Sequence, residues 1–375
     1  IDSIAASFDL LHPERSVKGL VRLYSAIAGL PDGYWRNRKM NEVQELIEQC
    51  SGLFTETTTA QAFAIKGDSV RMNFFCNNRL GVNAALNKVQ FVSAENIDST
   101  FNLTLQRNKN VAFSKTVYVS PLNPQTEPYW LEIPMDEGHF NVKEPRSIGQ
   151  PDVSPSWLMV ATITIEGTPF TFTKPVRYKF TDPVRGELYE PLVVLPAMEL
   201  SFENENYLSV NGKEVNTGLH FRSNRKDTAT YKYDYTVSKN WRVDKQVGPV
   251  VLNGTKDLPR SDVFTPAKQF VNGKETITAV ATGGGETYEH YRRFISYDHI
   301  PYINYFKHST ANLVSVDVKT YGKKIGYITG AGDKVPDALE AMGYEVTILG
   351  SKDMARVNLA QFDAIITGVR AYNTN

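Results

Sequence analysis

Cysteine is almost missing from this chain. Cys50 and Cys76 are the only two in 375 residues, too few for a disulfide framework or a thiolate zinc site. They read as two buried thiols or as one disulfide, and the sequence leaves both open. Net charge is also missing, because 41 Lys and Arg balance 41 Asp and Glu. That balance removes any general electrostatic drive toward nucleic acid or an anionic membrane. No apolar run approaches the roughly 20 residues that a membrane-crossing helix needs. No secretory leader is visible, although a chain that opens on Ile1 can have had one before it. Histidine is scarce: His12, His139, His220, His290, His299 and His308 are scattered singly, without the His-Glu-x-x-His spacing of a helical zinc site. His290 and His299 adjoin Glu289 and Asp298. Alternation along a strand would put such neighbours on opposite faces, so neither pair is expected to form an acid–base dyad. A Gly-x-Ser-x-Gly elbow is absent too, and neither cysteine has a basic neighbour in sequence.

What remains is an ordinary globular composition, 41% hydrophobic and 22% charged, long enough for about two to four domains. Residues 1–55 read as a helical hairpin. Val17, Leu20, Val21, Tyr24 and Ile27 repeat at helical spacing before Leu30-Pro31-Asp32-Gly33, and Met40, Val43, Leu46, Ile47 and Cys50 form a second stripe before Gly52. Such a pair must dock on a neighbour. From Glu56 the period falls to two, as in Ser69 to Phe74, Ala161 to Ile165 and Phe170-Thr171-Phe172, which predicts a first immunoglobulin-like β-sandwich over 56–185. Thr181-Asp182-Pro183 breaks the pattern. A second sandwich is expected over 186–310, with turns at Asn211-Gly212, Asn253-Gly254 and Asn272-Gly273, since Asn-Gly readily takes positive φ. Late strands are expected at Thr276 to Ala281 and Tyr291 to Tyr297, with Asp298 to Tyr305 leading onward. Residues 311–375 alternate strand and helix, with strands at Lys324 to Ile328, Tyr344 to Leu349 and Asp363 to Thr367. This is the opening of a parallel, flavodoxin- or amidotransferase-like α/β domain, which needs more strands than these. The fold class is therefore mainly β, and the chain is expected to be a piece of a longer protein.

Two constellations are candidates for ligand binding. The turn Thr329-Gly330-Ala331-Gly332-Asp333 follows a parallel strand, where backbone amides can hold an anion. Val335 stands at the third glycine position of the dinucleotide fingerprint, and Asp333 puts negative charge where phosphate would sit, so a plain turn with Asp333 capping the next helix is the competing reading. The stripe Tyr231, Tyr233 and Tyr235 offers flat faces to a sugar, or is the core face of a strand whose other face carries Lys232 and Asp234. Trp35, Trp130, Trp157 and Trp241 are expected as packing anchors.

Several phrases together resemble the non-catalytic region of Bacteroidetes-type PIG-L/LmbE family deacetylases. They are Tyr34-Trp35, Glu42 through Leu53, Asn78-Arg79-Leu80-Gly81-Val82, Pro128-Tyr129-Trp130-Leu131, Val176 through Tyr189, Gly326 through Asp333 and Phe362 through Thr374. The resemblance implies a parent whose zinc-dependent domain, acting on N-acetylated sugars, precedes Ile1. That family builds its metal site on an Ala/Pro-His-Pro/Ala-Asp-Asp motif. The nearest string, Leu11-His12-Pro13-Glu14-Arg15, lacks both aspartates, and Pro13 and Glu14 suit a helix start instead. No catalytic or metal residue is carried over, and zinc is expected only in the upstream domain. The resemblance further implies a periplasmic or secreted protein whose partners are its own catalytic domain and glycan, not nucleic acid or membrane. Three readings follow: an accessory frame, a carbohydrate-binding module with an exposed aromatic platform, or an enzyme whose site near Gly330 and Gly368 is completed by further α/β residues.

Overall fold

A computed structural model describes residues 1–374 except 152, 301, 351 and 354–357. It is mainly β, with 47% strand and 15% helix. The chain divides into two compact units, Ile1–Ala197 with Arg292–Phe306, and Met198–Tyr291 with Lys307–Asn375.

The first unit opens with α1 (Asp2–Ala6), which the sequence reading did not anticipate, and a 3-10 turn at Pro13–Ser16. The hairpin of α2 (Val17–Ala28) and α3 (Tyr34–Ser51) follows. Pro13 and Glu14 sit in the first turn, as their chemistry predicts. Its strands are β1 (Leu53–Thr59), β2 (Phe63–Ile65), β3 (Ser69–Asn78), β4 (Ala84–Val92), β5 (Asn96–Thr104), β6 (Asn110–Tyr118), β7 (Leu158–Ile165), β8 (Thr168–Pro175), β9 (Arg177–Asp182), β10 (Gly186–Pro191) and β11 (Val193–Leu195). One sheet runs β10-β9-β1-β3-β6 and the other β5-β4-β7-β8. Counted along the chain, β1, β3 and β6 stand where immunoglobulin strands A, B and E do, and β5, β4, β7 and β8 where C′, C, F and G do. Period-two patterning is the cause. In β7, Met159, Ala161, Ile163 and Ile165 all point inward and are buried, while the residues between them are half-buried. Met72, Phe74, Leu86, Phe91, Ile163 and Phe170 fill one core from both sheets.

The helical hairpin is not a separate body. Val17, Leu20, Val21, Val43, Ile47 and Cys50 join that same core, and Tyr24 meets Phe170 edge-on at 4.9 Å. Burying a side chain such as Ile47 is worth about 1.5–3 kcal/mol, which the hairpin alone could not gain. α3 stops at Gly52, whose φ of 63° and whose approach to Leu80, 2.7 Å from where a Cβ would stand, both require glycine.

The border expected at residue 185 falls inside a hairpin. Asp182 Oδ1 accepts the amides of Val184 at 2.9 Å and Arg185 at 2.7 Å, and β9 pairs antiparallel with β10. The same turn chemistry serves a linker and a hairpin, and here it makes a hairpin. Between β6 and β7 the chain is irregular apart from a 3-10 turn at Pro145–Ser147. There Glu127 accepts the amide of Phe306 at 3.1 Å.

The second unit holds β12 (Met198–Phe202), β13 (Asn206–Val210), β14 (Val215–Ser223), β15 (Thr228–Thr236), β16 (Trp241–Asp244), β17 (Val250–Asn253), β18 (Asp257–Pro266), β19 (Gly273–Gly283) and β20 (Glu286–Tyr288). The chain then forms the pair β21 (His290–Ile295) and β22 (Ile303–His308), and returns as β23 (Thr310–Val316). β21 and β22 pair with each other, so the stretch expected to lead onward closes a strand pair, and its residues 292–306 belong to the first unit. β23 carries the second unit past the expected limit at 310. One sheet runs β12-β14-β18-β16 and the other β13-β23-β19-β15-β17, with β20 beside β19. Counted along the chain, β12, β14 and β18 stand where immunoglobulin strands A, B and E do and β15, β19 and β23 where C, F and G do, while β16 at the D edge precedes β17 at the C′ edge, the reverse of the immunoglobulin order. Asn211 and Asn272 take φ of 55° and 54°, as their Asn-Gly turns predict.

Beyond β23 lie β24 (Lys324–Ile328), α4 (Val335–Ala341), β25 (Glu345–Leu349) and β26 (Ala364–Thr367), with the strands ordered β25-β24-β26 and all parallel. The second helix of the expected alternation falls on a stretch where 351 and 354–357 lie outside the described residues. A 3-10 turn at Leu359–Gln361 precedes β26.

Candidate functional site

β15 directs Tyr231, Tyr233 and Tyr235 into the second core, where they are only 3%, 9% and 9% exposed. They form no stacking platform. The Tyr233 and Tyr235 hydroxyls donate to Asp262 Oδ2 at 2.8 and 2.6 Å, and the amide of Gln246 donates to Oδ1 at 2.7 Å. Asp262 is wholly buried, so these donors replace the water it has lost. Burial, and then the bond to Asp262, push both phenols up and keep them protonated as donors. Asp262 is in phase with Phe264 and Pro266 on the inner face of β18. That phase is legible in the sequence, because Asp262, Phe264 and Pro266 alternate with Val263 and Thr265.

The Gly330 turn is filled by the protein itself. Asp333 accepts the Tyr327 hydroxyl and the amides of Val335 and Val369, the latter two at 3.2 Å. The bond from Tyr327 leads in holding its carboxyl below the usual range. A Cβ on Gly330 would strike the backbone of Val369, and one on Gly368 would lie 2.7 Å from the Asp333 carboxylate. Both glycines are thus required by close chain approach. Gly332, at φ 80°, has open space around it. Asp333 bonds the first turn of α4, but Lys334 holds the cap position. An anionic ligand here would have to displace a carboxylate already held by three donors.

In the first unit a cleft of about 390 Å³ opens beside α3, lined by Glu48, Phe54, Glu56, Lys174, Arg177 and Tyr189. The Arg79 guanidinium lies 4.7 Å from the Phe54 ring centre. Tyr189, 40% exposed, donates to Glu56 at 3.2 Å, and Lys174 pairs with Glu48 at 2.9 Å. Lys179 pairs with Glu187 at 3.0 Å and lies 5.3 Å from the Tyr189 ring centre. Two aromatic faces among fixed charges suit a polyhydroxylated ligand, whose rings stack while its hydroxyls find donors and acceptors. Phe54 and Tyr189 come from strands far apart in sequence, and no local pattern marks them as neighbours.

Glu289 stands in the break between β20 and β21, so strand alternation does not apply to it. His308, at the end of β22, lies against His290 with ring centres 4.1 Å apart. Glu289 Oε1 is 4.0 Å from His308 Nδ1. Burial, then the neighbouring His308, lower the His290 pKa. His299 rests against Tyr297 instead, at 5.7 Å.

Cys50 and Cys76 are free and buried, and burial pushes the Cys76 thiol up to about 12, which makes it unreactive. Trp157 and Trp241 are buried anchors at 1% and 4% exposure, whereas Trp35 is 65% exposed, contrary to expectation. Among the described residues no helix is long and apolar enough to cross a membrane.

No protein-family model matches the chain, and no curated protein matches it. Among solved structures it is similar to Salmonella alpha-2-macroglobulin reacted with methylamine, at 9% identity over 71% of this chain and 16% of that one, with a TM-score of 0.25. It is also similar to red sea bream transglutaminase, at 9% identity over 77% and 34% with a TM-score of 0.30. A third is the ICAM-5 D1-D4 ectodomain fragment, at 12% identity over 70% and 54% with a TM-score of 0.23. The chain spans between about a sixth and about a third of the first two. Values this low leave the fold to be read from strand order itself.

Proposed function

We propose that this chain is the non-catalytic accessory region of a multidomain, zinc-dependent sugar deacetylase of the PIG-L/LmbE type, a frame that positions the upstream catalytic domain and contacts glycan. The observation that carries the reading is where the resembling phrases fall. Asn78 is wholly buried and its amide donates to Val82 and Leu105 carbonyls at 2.9 and 2.8 Å while accepting from Gly81 at 3.0 Å. Gly52 ends α3, Val176 through Tyr189 contains the β9–β10 hairpin, and Asp333 ties together the turns around Gly330 and Gly368. These residues build a frame, and a frame is what such a region supplies. In this reading the zinc chemistry belongs to the upstream domain, the protein is periplasmic or secreted, and β24 to β26 open a flavodoxin- or amidotransferase-like domain. Assaying N-acetylglucosamine derivatives against the 375-residue chain, alone and joined to its upstream segment, is the test. Turnover is expected only from the joined protein, and turnover by the chain alone overturns the proposal.

The cleft beside α3 favours a glycan contact as the second half of this function. Its aromatic walls replace the tyrosine stripe of β15 as the proposed stacking surface. If a glycan array identifies a ligand, Tyr189→Ala should weaken it about tenfold, the value of one lost stacking contact. Unchanged affinity would remove the cleft from the proposal.

A further inference from the structure

The feet of β21 and β22 bring together two imidazoles and a carboxylate that the frame does not use elsewhere. Glu289, His290 and His308 each offer one ligand atom, and the three atoms lie within 4.8 Å of one another. The grouping is set by the backbone. The amide of Ser309 donates to the carbonyl of Glu289 at 2.7 Å, which locks the residue after His308 to the residue before His290. The two rings then stand side by side with planes 42° apart, and the carboxylate reaches toward His308 Nδ1.

We infer that Glu289, His290 and His308 form a binding site for a divalent transition metal of the Zn²⁺ or Ni²⁺ class. Imidazole nitrogens with one carboxylate oxygen suit these ions and not Mg²⁺ or Ca²⁺, which prefer all-oxygen shells. Three protein ligands leave the remaining position to water, because the site is half open to solvent. Bonds of about 2.0–2.2 Å place tetrahedral donors about 3.4 Å apart, so the present grouping must tighten. His308 can supply that movement because 47% of its side chain is exposed. A bound cation would also convert the crowding of two imidazoles into shared attraction, and would fix the ends of the two strands to each other. The site goes beyond the accessory role proposed above and revises the expectation that this chain holds no metal of its own. It is independent of any zinc held upstream.

Titration calorimetry of the 375-residue chain with Zn²⁺ alone, and with Mg²⁺ in parallel, tests the assignment. The expected result is one equivalent of Zn²⁺ and no measurable heat from Mg²⁺. His308→Ala should weaken Zn²⁺ at least about tenfold, since even outer partners of metal ligands are worth that much. Glu289→Gln should weaken it by a smaller factor, and His139→Ala should leave it unchanged. Circular dichroism of each variant confirms folding. His308→Ala removes an exposed side chain, so it remains informative even where the more buried His290→Ala does not fold. Absence of Zn²⁺ binding, or binding that survives His308→Ala and Glu289→Gln together, overturns the inference.

Discussion

The two sandwiches share an A-B-E sheet facing a C-F-G sheet and differ in what fills them. The first packs Met72, Phe74, Leu86, Phe91, Met159 and Phe170 into an apolar interior and covers part of it with a helical hairpin. The second places a buried carboxylate, Asp262, among tyrosines on the facing strand. An apolar core tolerates exchange between side chains of similar volume. A buried hydrogen-bond network tolerates nothing that unpairs it, because each orphaned donor keeps its desolvation cost. The sandwich core of the first unit therefore rests on volume alone, and that of the second adds a hydrogen-bond geometry to it.

The sharpest way to break this contrast is Asp262→Ala. It orphans two hydroxyls and one amide, each costing about 1–3 kcal/mol when left unsatisfied, read as lost hydrogen-exchange protection in β15 and β19 with β3 and β7 unaffected. Leu86→Ala is the counterpart in the first unit and should cost about 3 kcal/mol, with protection lost in β4 and β7 instead. Loss in both units from either variant would dissolve the distinction. Tyr235→Phe removes one donor but keeps the ring against Phe202 and Phe264, so about 1–2 kcal/mol is expected from urea unfolding.

The smallest effect sits at Glu127 in the first unit, where burial, opposed by the amide of Phe306, raises the carboxyl from 4.5 to about 7. The native state holds this proton more tightly than the unfolded chain does. Its stabilisation is complete below about pH 4.5 and is lost as pH rises through 7. Glu127→Gln keeps an acceptor for Phe306 and should abolish this component, gaining on the order of 1 kcal/mol over the parent above pH 7 once solvent screening is allowed for. Parallel pH profiles for the two proteins would count against it.

Much of the layering is legible in the sequence because period two and Asn-Gly turns are local signals. β7, β15 and β24 lie where alternation or apolar runs put them. The border near 185 shifts because Asp182-Pro183 encodes a turn without saying whether the strands on either side pair. α1 was not legible, being short and without a buried residue. At the candidate sites the tyrosine stripe was visible as a stripe, but its orientation depended on Asp262 in another strand. Glu289 and His308 meet only because a backbone bond at Ser309 joins two strand ends, and no sequence window contains both.

Each sandwich also zips an early strand to a late one in parallel. In the second unit β13 pairs with β23 from Asn206 to Val210 against Asn312 to Val316. In the first the pairing is split, with β1 meeting β9 at Thr58 and Thr59 and β2 meeting β11 from Phe63 to Ile65. Tension applied through the ends of such a strand pair runs along it and loads its hydrogen bonds together in shear, whereas a hairpin peels one bond at a time. Under a pulling force the second sandwich should therefore release its parallel zipper in one step, and the first its two shorter ones in succession.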